Sequence, residues 1–171
     1  MMNGISALFD GLDFIISNII KPVVVVLSCI IAFLMVYGIF ARSIIGHPVF
    51  GLEEIIMMAA VWLYMLGAVL ASRDRSHLAA DFVQVICKNP KIVKFMTLLS
   101  TAISLFMAIM FSTWGYNLFI WGVQKGQATI VFHIPQYLSQ SSLFAASLLL
   151  IFYLLRDFFT DFASFKNALK D

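Results

Sequence analysis

Four long stretches of this chain are almost free of Asp, Glu, Lys, Arg and His, and no other feature constrains its fold as strongly. They are Val23–Ser43, broken by Arg42 near its end; Ile55–Ser72; Phe95–His133, broken by Lys125; and Ile134–Leu155. Crossing the hydrocarbon core of a bilayer takes about 20 apolar residues. It also takes a helix, because only then are the backbone polar groups satisfied within the segment. Each stretch is long enough, Ile55–Ser72 only just. The sequence therefore predicts an all-α integral membrane protein with transmembrane helices at about 22–43, 53–72, 94–124 and 134–156. Composition excludes the soluble alternative: 62% of the 171 residues are hydrophobic and 12% charged, too little polar surface to cover a globule in water. The net charge of +2 is too small to argue for a nucleic-acid partner.

The uncharged part of the third stretch, Phe95–Gln124, is 30 residues. That is about 45 Å of helix against a core of about 30 Å, so it is expected to tilt or to project beyond the outer face. Orientation follows from Lys and Arg. With the N-terminus cytoplasmic, Lys21, Arg73, Arg75, Lys88, Lys91, Lys94, Arg156, Lys166 and Lys170 lie inside, and only Arg42 and Lys125 lie outside. This positive-inside bias predicts that both termini face the cytoplasm.

The residues ahead of the first span carry Asp10 and Asp13 where a signal peptide is basic, so the segment is expected to be retained. Ile5, Leu8, Phe9, Leu12, Ile15, Ile16, Ile19 and Ile20 share one helical face, with Asp10, Asp13 and Ser17 opposite. The pattern predicts an amphipathic interfacial helix at about 4–20 on the cytoplasmic face. The competing reading is a helix packed on a cytosolic partner. Leu78, Phe82, Val85 and Ile86 make a shorter stripe of the same kind before Asn89-Pro90. No internal repeat or linker divides residues 1–171, which are read as a single domain.

Little in the chain suggests chemistry. Cys29 and Cys87 fall at different depths, and His47, His77 and His133 lie at helix ends or in loops, where haem is not held. His77 and Asp81 share a face but lack a third metal ligand nearby, and no Ser stands with a His and a carboxylate at a spacing that suggests a triad. No catalytic residue, metal or cofactor is expected. The spans also lack a charge or a proline at mid-depth, which ion-coupled transporters use to build their sites. The chain reads as an accessory membrane subunit.

Accessory subunits need contact surfaces, which in lipid are marked by small residues. Helix two offers Ala60, Gly67 and Ala71 with Tyr64 between them. Helix three offers Thr97, Thr101, Ser104, Ala108, Ser112 and Gly115. Either stripe serves a partner or the chain's own packing. Trp114, Tyr116, Trp121 and Tyr137 fit an outer aromatic belt, whereas Trp62 falls nearer mid-depth and needs a partner for its indole N–H.

The order Glu53-Glu54, Trp62, Gly67, Arg73, His77, Asp81 resembles the signature of the small membrane subunit of tripartite ATP-independent periplasmic (TRAP) transporters. The likeness extends to length, four spans and a proline, Pro135, near the start of the last helix. The chain departs at Ala79-Ala80, where many members carry bulkier residues. The resemblance implies a DctQ-like Q subunit in the bacterial inner membrane, one part of a sodium-coupled organic-acid importer. Its partners would be a large elevator-type membrane subunit, where sodium is expected to bind, and a periplasmic substrate-binding protein. This chain would be the scaffold. Overall likeness points to a sialic acid system. Glu53, Glu54, Trp62 and Gly67 then become candidate contacts with the large subunit or binding protein. Arg73, Arg75, His77 and Asp81 become candidate inner-face structural or phospholipid contacts. The alternative is a self-sufficient oligomeric transporter or channel, for which Ser139, Gln140, Ser141 and Ser142 are the one polar cluster to line a path.

Overall fold

The computed structural model describes residues 2–46, 49–74 and 90–168. Among them the chain is all-α. Helix α1 (Met2–Phe40) runs on into a π-helical turn, Ala41–Ile45, that ends at Gly46. It is followed by α2 (Leu52–Arg73), α3 (Pro90–Lys125) and α4 (Tyr137–Ala168). Four helices are long and apolar enough to cross a membrane, as the uncharged stretches require.

The helices pack in the order α1, α2, α4, α3, each chiefly against the next. Burial follows that order: in the most apolar stretch of each helix, 28% of α4 and 22% of α2 is buried, against 6% of α3 and none of α1. A closed bundle would bury a stripe on every helix, whereas a row buries mainly its two inner members. The shared core lies where α1, α2 and α4 meet, around Ile20, Leu66, Val69, Ala146 and Tyr153. In lipid such contacts hold by close packing, because the tails are as apolar as the side chains. Small residues make this possible between α3 and α4. Ala108 and Ser112 are buried, and a Cβ on Gly115 would lie 3.5 Å from the backbone of Phe144. The small-residue stripe of the third helix therefore serves the chain's own packing.

Three features differ from the sequence reading. The amphipathic segment is not a separate helix, since α1 is helical without interruption through Pro22. The ring's fixed φ suits a helix, and its main loss is one backbone bond, to the Asn18 carbonyl. The apolar face of that segment is split, with Phe9, Ile16 and Ile20 turned to the row. Ser17 and Ile20 are buried against the row, while Leu12, Phe14, Ile15 and Ile19 are exposed. Apolar groups facing outward suit lipid, and the polar face finds its partners within the chain. Finally, the excess length of α3 lies at the Arg73 end. Arg156 bonds to the Arg73 carbonyl, and Asp157–Ala168 continue beyond it for about 18 Å. The start of α3 runs alongside, joined by the Phe95–Phe165 ring contact and by Thr101, whose hydroxyl donates to Asp161 at 2.8 Å.

Candidate functional site

Two polar clusters mark the ends of α2. At its C-terminal end Arg73 forms a two-pronged pair with Asp13 of α1: Nε donates to Oδ1 at 2.6 Å and Nη2 to Oδ2 at 2.8 Å. Planar guanidinium and planar carboxylate match in this geometry, which makes it stronger than a single contact. Tyr153 of α4, buried to 1% exposure, donates its hydroxyl to Asp13 Oδ1 at 2.9 Å. Arg156, one turn further on, donates to the Arg73 carbonyl at 3.0 Å and to Asp157 Oδ1 at 2.9 Å, with its guanidinium 5.3 Å from the Tyr153 ring centre. Arg73 Nη1 also reaches Asp74 at 3.2 Å. Three helices are thus cross-linked at one level. The Arg73 guanidinium is engaged chiefly inside the chain, which gives it a structural role. Arg75, His77 and Asp81 lie outside the described residues.

At the other end the two glutamates part company. Glu53 is exposed. Glu54 turns across the row and accepts the backbone N–H groups of Val131 and Phe132 at 2.8 and 3.0 Å. These belong to a hairpin between α3 and α4, closed by Thr129 N to Ile134 O at 2.9 Å and Gln136 N to Gln127 O at 2.8 Å. Pro135 lies in this hairpin and not in the helix. Gly51, at φ 85°, takes the left-handed backbone that favours glycine, and the Phe132 ring packs where a Cβ would lie.

Trp62 donates its indole N–H to the Leu138 carbonyl at 3.2 Å, so its polar atom is satisfied within the chain. Gly67 is the opposite case. Among the described residues a Cβ built there meets nothing within 4 Å, and Met57 and Tyr64 on the same side of α2 are exposed. The small-residue stripe of helix two is therefore an open face. At the polar start of α4, Ser141 and Ser142 turn their hydroxyls back to the carbonyls of Leu138 and Ser139. Gln140 is wedged against Gly122.

Asp13, Tyr153 and Arg156 escaped the sequence reading. The available signal was two acids, Asp10 and Asp13, on the polar face of an amphipathic segment and an arginine, Arg73, ending the second span. Their separation by 60 residues hides the pair.

Residues 31–164 match the family model described as "Tripartite ATP-independent periplasmic transporters, DctQ component". This chain belongs to that family. The matched region takes in α2, α3 and most of α4, with the last quarter of α1, and so includes Arg73, Tyr153 and Arg156 but not Asp13. A DctQ chain is the small membrane subunit of a TRAP transporter, a transport component and not an enzyme. No curated protein is significantly similar in sequence.

Proposed function

We propose that this DctQ subunit is a static scaffold in the bacterial inner membrane, with both termini cytoplasmic. In this reading it anchors the immobile part of a large elevator-type TRAP subunit in a sodium-coupled importer of an organic acid, sialic acid by overall likeness. The observation that carries the proposal is the row itself. Among the described residues the four spans pack side by side, each chiefly against the next, and so present a wide surface to a neighbour. The open face of α2 around Gly67 is the part suited to close helix approach, since small residues let two backbones pack tightly. The latch of Asp13, Arg73 and Tyr153 ties α1 to the inner members of the row and gives the surface its rigidity. Glu53, exposed beside the hairpin, remains the candidate contact for a periplasmic binding protein.

Cross-linking tests the assignment. Cysteines introduced at Tyr64 and Ile103, both exposed but on α2 and α3, are compared in membranes containing the large subunit. The scaffold reading expects adducts with the large subunit from position 64 and few from position 103. Adducts from 103 alone would move the interface to the α3 edge of the row, and adducts from neither would remove the reading.

A further inference from the structure

The hairpin between α3 and α4 has a depth that can be worked out from its contacts. Helix α2 has 22 residues, about 33 Å, which matches a hydrocarbon core of about 30 Å. Leu52–Glu54 therefore lie at one boundary of the core and Arg73 at the other. The hairpin tip is tied to Glu54 by the bonds at 2.8 and 3.0 Å from Val131 and Phe132. Its base is tied lower, because Trp62 bonds to Leu138 at the start of α4. Residues 126–136 are thus held at the level of the first turns of α2 and do not stand off in water. Trp121 and Tyr137, both exposed, flank the hairpin and belong to the residue types that favour the membrane boundary.

At that level the large exposed side chains of the tip are apolar, with His133 exposed beside them. Ile130 is 90% exposed, Phe50 on the neighbouring α1–α2 connection is 76% exposed, and Val131 and Phe132 are exposed between them. Water contact there is unfavourable for these apolar side chains.

We infer that the α3–α4 hairpin, with Phe50 beside it, is a lipid anchor whose tip beds at the boundary between phospholipid headgroups and acyl chains. Glu54 is the positioning residue that holds it there. Amphipathic anchors of other kinds settle about 5–10 Å into this boundary. The function is to fix the vertical position and tilt of the row at its Glu54 end, as the latch fixes α1 at the other. The inference concerns the chain in a bilayer and stands apart from the identity of the large subunit or the substrate.

Spin labels test it in the full chain, reconstituted in phosphatidylethanolamine–phosphatidylglycerol vesicles with Cys29 and Cys87 replaced by serine. Labels are placed singly by Ile130→Cys and Phe50→Cys, and collision with apolar oxygen is compared with collision with a water-soluble nickel chelate. The anchor predicts that oxygen dominates at both positions. Dominance of the chelate would show that the tip faces water and overturn it, and loss of access to both reagents would show a protein contact and overturn it too. Adding Glu54→Ala to the Ile130→Cys chain is expected to sharpen the spectrum and raise chelate access several-fold, with helix content unchanged by circular dichroism. Glu54→Gln, which keeps one acceptor oxygen, should fall between. An Ile130 label indifferent to both Glu54 variants would remove the positioning role.

Discussion

Replacing Asp13 with alanine should detach the N-terminal half of α1 from the row while leaving the rest folded. Exposed ion pairs contribute about 0.2–1 kcal/mol, whereas removing one partner from a buried pair costs about 3–5 kcal/mol. The Arg73 and Asp13 side chains are 21% and 19% exposed, which places the pair nearer the buried limit. Asp13→Ala also strips the acceptor from the buried Tyr153 hydroxyl, a loss of about 1 kcal/mol or more. Some of this is recovered because Arg156 and water can approach the vacated site. The sum is about 2–4 kcal/mol against local opening, and at a factor of ten per about 1.4 kcal/mol this is a change of about 30- to 700-fold. Amide hydrogen exchange across residues 11–20, in detergent or nanodiscs, reads that number directly. A double-mutant cycle with Arg73→Ala should return a coupling of about 1–3 kcal/mol. Asp74→Ala is the control: its side chain is 62% exposed and it meets Arg73 through one contact at 3.2 Å, so less than about 0.5 kcal/mol is expected. Exchange in residues 11–20 that changes by less than threefold in Asp13→Ala, or a coupling as small as the control, would refute the latch.

Gly67→Leu places a side chain on an open face, so the subunit should fold and insert normally while its co-purification with the large subunit falls sharply; loss of folding would show that the face is not free. Gly115→Leu does the reverse, driving a side chain toward the Phe144 backbone 3.5 Å from the Cβ position, and should destabilise the α3–α4 pair by about 1–3 kcal/mol in chemical unfolding. Trp62→Phe loses the bond to the Leu138 carbonyl and should cost about 0.6–1.7 kcal/mol by the same measurement, with tryptophan fluorescence following unfolding through Trp114 and Trp121.

The spans were legible because their signal is local: a run of uncharged residues reports its own length, and the limits of α2 and the end of α3 follow from Glu53-Glu54, Arg73 and Lys125. What the runs do not encode is which helix lies beside which. The stripes on α2 and α3 look alike in sequence, and only the neighbours of Gly67 and Gly115 tell them apart. The same applies to the overhang of α3, since a helix too long for the bilayer does not say at which end it projects. That is fixed by α4 through Arg156 and Asp161. For residues 4–20 the periodicity was legible but its direction was not. A soluble helix turns its polar face outward, and here the polar face holds Asp13 against Arg73 because lipid offers a carboxylate no partner. Glu54 illustrates the limit for sites. Two adjacent glutamates at a helix start read alike, and the hairpin that claims one of them lies 77 residues away.

The most direct test of the account is transport by purified chains in liposomes under a sodium gradient, supplied with the binding protein and labelled sialic acid. This DctQ subunit, the large subunit and the two together are compared. The scaffold account predicts uptake only when both chains are present and none from this chain alone. Uptake by this chain alone would contradict it.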